Sequence, residues 1–146
     1  MVFWQLTIDA NDPARLSRFW ALALSYQPVP RAEQETTWDA HYRARLGDDA
    51  AFDDRLFDPT GLGPPIWFQQ VPEAKAGKNR LHIDIYPTGR DDALPLGRRI
   101  EIVEAKVSEL VRLGASVERR TRVDDPEDPF YYVVMHDPEG NELCVS

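Results

Sequence analysis

Three ionisable side chains occupy alternate positions near the middle of the chain. His82, Asp84 and Tyr86 alternate with aliphatic residues along residues 80–87. Side chains on a strand point to opposite faces in turn, so this pattern predicts a strand with one apolar and one ionisable face. His82 with Asp84 or Asp9 could act as a catalytic general base, because imidazole exchanges protons near neutral pH and a carboxylate can orient it.

The N-terminal part of the chain repeats this arrangement. Residues 3–9 predict a strand that carries Gln5, Thr7 and Asp9 on its polar face. Two polar strand faces suggest a shared cavity, and nearby aromatic residues would suit a planar ligand. The predicted substrate-binding residues are Gln5, Thr7, Asp9, Trp67, Tyr86 and Tyr132.

Each half of the chain predicts a strand, a helix and then further strands. In the first half, Asp12 and Pro13 are typical of a helix start. Residues 48–56 suggest a short surface helix, and residues 58–61 a tight turn. The remaining elements are predicted as strands near 36–38 and at 66–71, 115–119, 130–136 and 142–146, and a helix that ends before Gly114.

Length and composition favour one globular domain over residues 1–146, with a first module at about 1–75 and a second at about 78–146. The formal net charge is −8 and no basic cluster stands out, so we expect no nucleic-acid partner. No apolar run reaches the roughly 20 residues of a membrane span, and no signal peptide is evident. A cytoplasmic protein without a membrane partner is therefore expected.

Four passages in order resemble the vicinal-oxygen-chelate superfamily, and within it the glyoxalase-like proteins. They are LTIDANDP at residues 6–13 running into Phe19 and Trp20, GPPIWFQQVPE at 63–73, KNRLHID at 78–84, and HDPEGNELC at 136–144. The resemblance implies an α+β fold of two βαβββ modules, whose mixed sheets curl into a cup around a central cavity. It also implies a homodimer.

Metal-dependent members of the superfamily hold a divalent ion with four ligands, and the resemblance allows each position to be compared. The first falls on Gln5, the second strand offers no carboxylate, and the third is His82. The fourth falls on Cys144, with Glu142 two residues earlier on the same face. The candidate metal ligands are thus His82, Gln5, Glu142 and Cys144. We interpret this set as a degenerate site and expect no cofactor, with a bound divalent metal as the alternative.

The function predicted is a lyase-like or isomerase-like enzyme that acts on a small oxygenated molecule, with His82 and Asp84 as catalytic residues. A proton transfer next to a carbonyl suits a site with or without a metal. The rival hypothesis is a small-molecule binding protein of the bleomycin-resistance type, which sequesters its ligand without chemistry. His82 as a purely structural residue and Cys144 as a buried small hydrophobe are the plainer alternatives.

Overall fold

The computed structural model describes residues 4–28, 44, 53–91, 93–121 and 130–146. The chain forms two compact units, Met1–Glu73 and Ala74–Ser146. The strand predicted near residues 36–38 lies outside the described residues, as do residues 45–52. The α+β class with two mixed sheets is confirmed.

The first unit has three described strands and one described helix of several turns. Strand β1 (Leu6–Ala10) is followed by helix α1 (Pro13–Leu24), then β2 (Arg55–Leu56) and β3 (Ile66–Gln70). The sheet order is β1-β3-β2, with β1 parallel and β2 antiparallel to β3. The short helix predicted over residues 48–56 is wrong at Arg55 and Leu56, because both residues pair with β3 as a strand.

Helix α1 begins where local sequence predicts. The Asp12 carboxylate accepts a hydrogen bond from the Arg15 amide at 3.0 Å, and Pro13 occupies the first turn, where no amide donor is needed. Its apolar side packs on the sheet and contributes much of the buried core of this unit: Leu16, Phe19, Trp20 and Ala23.

The second unit has the βαβββ order in its described strands. Strand β4 (Ile83–Ile85) precedes helix α2 (Leu96–Arg112), and β5 (Ser116–Arg120), β6 (Val133–His136) and β7 (Glu142–Val145) follow. The sheet order is β4-β7-β6-β5, in which only the β4–β7 pair of the described strands is parallel. Gly114 follows α2 with φ of 99°, a conformation that glycine adopts without strain.

The buried residues of β6 and β7 form a core with helix α2. Val133, Met135, Leu143 and Val145 are buried together with Val103, Val107 and Leu110 of the helix. The residues between them on β6 and β7 lie on the opposite, more accessible face. The sheet therefore presents one face to its helix and keeps the other for polar side chains.

Candidate functional site

A cluster of three side chains lies on the accessible face of the second sheet. Asp84 of β4 and Cys144 of β7 are paired directly in the parallel ladder. The Nε2 atom of His82 lies 3.2 Å from Oδ1 of Asp84. One nitrogen, one oxygen and one sulfur atom of the three residues all lie within 4.8 Å of one another. We call His82, Asp84 and Cys144 the trio.

The alternation of apolar residues places the trio. Ile85 of β4 and Leu143 and Val145 of β7 are buried. Their neighbours Asp84 and Cys144 consequently point away from the core. The His82 and Asp84 side chains remain 53% and 42% exposed, so a ligand can reach both of them.

Hydrogen bonding links Cys144 to the rest of the trio. Burial raises the pKa of the Cys144 thiol, and the nearby Asp84 carboxylate raises it further by charge repulsion and by accepting a hydrogen bond from the thiol. The cations of Arg119 and Lys78 act in the opposite direction but do not cancel these effects. Asp84 is therefore held between the imidazole on one side and a protonated thiol on the other.

The donor set of the trio fits a divalent metal ion. Imidazole nitrogen, carboxylate oxygen and thiolate sulfur are the ligand types that zinc takes in proteins, and three protein ligands leave a position open in a catalytic site. The three donor atoms are already close enough to share one ion. The trio includes two of the predicted metal ligands, His82 and Cys144, and adds Asp84.

Glu142 lies on the same strand as Cys144 but is bound to other groups. Its carboxylate accepts a hydrogen bond from the Asn79 amide and pairs with the Lys75 ammonium, each at 3.1 Å. Burial alone would raise the pKa of Glu142, but these two partners outweigh it and lower the pKa to about 2. The structure thus places the Glu142 carboxylate in an ion pair that ties residues 75–79 to β7.

The predicted site residues of the first unit lie on and beside β1 and β3. Gln5 precedes β1 and is exposed, as are Thr7 and Asp9 on the strand itself. Thr7 pairs with Trp67 in the ladder. The Trp67 indole Nε1 donates to Oδ2 of Asp54 at 3.1 Å within the same unit. The structure brings Thr7 and Trp67 together, and their role in substrate binding stays a prediction.

A cavity of about 690 Å³ opens in the second unit beyond the ends of β4 and β7. Its aromatic lining includes both tyrosines predicted to bind substrate, and consists of Tyr86, Phe130, Tyr131 and Tyr132. Its polar lining is Thr88, Arg90, Asp91, Arg99 and Ser146. Arg90 and Arg99 were not predicted from the sequence. Arg90 lies in a loop and Arg99 near the start of helix α2, and no periodic pattern marks either position.

Comparison with known proteins identifies the family. Residues 5–146 match the model of the glyoxalase-like domain, so the chain belongs to the glyoxalase-like domain family. No curated protein matches the chain. No helix in the described part of the chain is long and apolar enough to cross a membrane.

Solved structures share this fold at low sequence identity. A glyoxalase/bleomycin resistance protein/dioxygenase family enzyme from Burkholderia phytofirmans PsJN is 15% identical with a TM-score of 0.55, over 97% of this chain and 94% of that one. The fosfomycin resistance protein FosX from Mesorhizobium loti is 16% identical with a TM-score of 0.51, over 99% and 91%.

A third structure carries bound ligands. It is a mutant of the fosfomycin resistance protein FosX from Listeria monocytogenes in complex with Mn(II) and 1S,2S-dihydroxypropylphosphonic acid. It is 9% identical to this chain with a TM-score of 0.56, over 99% of this chain and 90% of that one. At these identities the likeness concerns the fold.

Proposed function

We propose that this glyoxalase-like protein is an enzyme that moves a proton at a carbon next to a carbonyl group of a small organic molecule. The observation that carries the proposal is the 3.2 Å contact between Nε2 of His82 and Oδ1 of Asp84, on an accessible sheet face. An imidazole beside a carboxylate can act as a general base that the carboxylate orients. Family membership supports a small-molecule substrate.

The site of proton transfer depends on which ring nitrogen of His82 faces the Asp84 carboxylate. Nε2 is the nitrogen that faces Asp84, so a hydrogen on Nε2 would leave Nδ1 of His82 as the atom that accepts the substrate proton. The imidazolium that forms is stabilised by the Asp84 carboxylate, and the proton can then return to the same or a neighbouring atom of the substrate. Cys144 lies beside the same carboxylate, because Asp84 and Cys144 are paired in the parallel ladder.

The trio can also hold the divalent ion that the fold family implies. His82, Asp84 and Cys144 would be its ligands, and a bound ion would polarise the carbonyl of the substrate as a Lewis acid. Cys144 must lose its proton to become a ligand, so the hydrogen-bonded and the metal-binding forms of the trio are alternative states of one site. The proposal therefore applies first to the metal-free state.

The test follows proton exchange by NMR. Small ketones and 2-oxo acids are incubated with the protein in D₂O, with and without a chelator, and the loss of signal from the hydrogens next to the carbonyl is timed. The wild-type protein should accelerate exchange of at least one compound, and His82→Gln should remove the acceleration. His136→Gln is the matched control, because His136 also contacts a carboxylate, that of Glu118 at 3.7 Å, but lies outside the trio.

The outcome separates the enzyme from its rival. Equal exchange rates for wild type and His82→Gln on every compound would refute the proposal. Stoichiometric binding of a ligand without exchange would instead support the sequestering hypothesis. A homodimer remains part of the proposal through the family resemblance, and sedimentation equilibrium would measure it.

A further inference from the structure

The cavity of the second unit lies next to the trio along the same strands. Tyr86 follows Asp84 by two residues, and Ser146 follows Cys144 by two. The ladder continues to this point, because the Ser146 amide donates to the Ile85 carbonyl at 2.9 Å. Two residues along a strand span roughly 7 Å. The cavity wall therefore begins roughly 7 Å along the strands from Asp84 and Cys144.

Arg119 connects the cavity and the trio on this face. Its guanidinium lies 5.8 Å from the centre of the Tyr132 ring, which lines the cavity. In the sheet, Arg119 is opposite Val134 of β6, and Val134 is opposite Cys144 of β7. Tyr132 and Cys144 consequently share one surface, and a ligand that occupies the cavity can extend from the tyrosine towards the trio.

The described cavity lining is richer in cationic than in anionic side chains, whereas the chain carries a formal charge of −8. Among the described lining residues, the ionisable side chains other than tyrosine are two arginines and one aspartate. The Asp91 carboxylate accepts a hydrogen bond from the Ala93 amide at 2.9 Å, so it is engaged by its own loop. Arg90 and Arg99 thus outnumber the one described carboxylate of the lining, which favours anions over cations.

Local contacts orient the Arg90 guanidinium. It stacks over the Tyr86 ring at 4.7 Å, and its backbone adopts φ of 59° after Gly89, in the left-handed region that most residues avoid. The Thr88 hydroxyl donates to the Ser146 carbonyl at 3.3 Å, which joins this turn to the end of β7. The arginine is held beside an aromatic ring, an arrangement that suits a planar ligand bearing a negative group.

Aromatic side chains form the remaining wall. Tyr131 is buried, and its hydroxyl donates to the Glu104 carboxylate, which fixes the ring. Phe130 is 62% exposed, so the cavity also presents an apolar surface to solvent. Stacking and apolar contact would contribute affinity for an aromatic body of any charge, while the arginines select for an anion.

We infer that this cavity binds a planar aromatic organic anion, with its anionic group at Arg90 and Arg99. The binding specificity itself does not depend on any reaction.

Isothermal titration with three probes of equal shape tests the charge preference. The probes are 2-naphthoate, 2-naphthamide and 2-naphthamidine, which are anionic, neutral and cationic. We expect the naphthoate to bind at least tenfold more tightly than the amide, and the amidine to bind most weakly. Equal affinities, or a preference for the amidine, would overturn the inference without any variant being needed.

Substitutions then locate the site. The double variant Arg90→Gln with Arg99→Gln should weaken naphthoate binding at least tenfold and leave the naphthamide affinity within twofold. Arg98→Gln is the matched control, because Arg98 lies next to Arg99 on α2 but pairs with Glu101 and does not line the cavity. An equal loss in Arg98→Gln would show a general charge effect and overturn the inference.

One further variant separates this inference from the proposed function. His82→Gln should abolish proton exchange and leave naphthoate affinity within twofold, since His82 does not line the cavity. Selective naphthoate binding without exchange in the wild type refutes the proposed enzyme but supports the binding site. If the wild-type protein accelerates proton exchange on ketones but does not bind naphthoate selectively, the inferred anion site is refuted and the proposed enzyme is not.

Discussion

Asp84 and Cys144 face each other across the parallel strands β4 and β7, and the Asp84 carboxylate helps to raise the pKa of the Cys144 thiol. This contact binds the lone cysteine of the chain to the residue that also orients His82. The carboxylate therefore influences both the reactivity of a thiol and the direction of a base. Each effect can be measured separately.

Removing the carboxylate should make Cys144 more reactive. Burial remains in Asp84→Asn, but the charge that raises the pKa of the thiol is gone, so a larger fraction is thiolate at pH 8. We expect iodoacetamide to modify the variant severalfold faster, as measured by mass spectrometry on the single cysteine. Asp91→Asn, which removes another acid of the same unit, should leave the rate unchanged. An unchanged rate in Asp84→Asn would show that the carboxylate does not act on the thiol.

Zinc should stabilise the protein through the trio, and more strongly at pH 8 than at pH 6. The pKa of Cys144 is raised, so binding must release the thiol proton and is favoured by alkaline conditions. Zinc at about 100 times its dissociation constant adds about 2.7 kcal/mol, which corresponds to roughly 5 °C or more in the melting temperature. Differential scanning fluorimetry measures the shift.

Two controls define this zinc site. Cys144→Ala should lose most of the shift, and Mg²⁺, which prefers oxygen ligands, should cause little shift in the wild type. A full zinc shift in Cys144→Ala would place the ion elsewhere in the protein. Co²⁺ offers an independent signal, because coordination by the thiolate adds a charge-transfer absorption that Cys144→Ala should lack.

The Glu142 ion pair should contribute stability that acid removes. The pKa of Glu142 is lowered from 4.5 to about 2, so the folded state binds its proton later than the unfolded state as the pH falls. The contribution is fully present above pH 4.5 and is lost as the pH drops through 2. Urea unfolding should show Glu142→Gln less stable than wild type at pH 7, with the difference shrinking between pH 4.5 and 2.

Lys75→Met provides the matching test for this pair. It removes the cation that lies 3.1 Å from the Glu142 carboxylate and should reduce stability at pH 7 in the same direction. The Asn79 amide still donates to Glu142, so the loss should be smaller than that of Glu142→Gln. A constant difference between wild type and Glu142→Gln across the whole pH range would contradict the lowered pKa.

Stability and ligand binding should change in opposite directions at Arg90. Its φ of 59° is strained for any residue with a Cβ atom, so Arg90→Gly should raise the free energy of unfolding by about 0.5–1 kcal/mol. The same change removes the guanidinium over Tyr86 and should weaken 2-naphthoate binding. Arg98→Gly lies within a helix and should lower stability by about 1 kcal/mol. Destabilisation by Arg90→Gly would show that the turn is not strained.

Local signals in the sequence were enough to predict helices α1 and α2 and the order of elements in the second unit. Asp12 and Pro13 start α1 because both act on the first turn itself, and Gly114 follows α2 for an equally local reason. The strand predicted over residues 80–87 is shorter, at Ile83–Ile85, and Leu81 is 80% exposed instead of lying on a buried face. Strand ends depend on a partner strand, which the alternation of residues cannot show.

The candidate site was predictable only in part, because contacts between distant parts of the chain leave no local pattern in the sequence. Alternation placed His82 beside Asp84, and the family resemblance pointed to Cys144. The pairing of Glu142 with Lys75 depends on a loop whose path no sequence pattern indicates. Arg90 and Arg99 reach the cavity from a turn and a helix start, and their convergence requires the whole unit to be folded.

The parallel pairing of β4 with β7 also determines when the site can exist. These strands are separated in sequence by α2, β5 and β6, so their pairing closes a long loop and we expect it to form late in folding. A partly folded chain has His82 and Asp84 but lacks the thiol beside them. Ligands of the trio would thus bind the finished second unit and not its intermediates, so occupancy of the site would report completed folding.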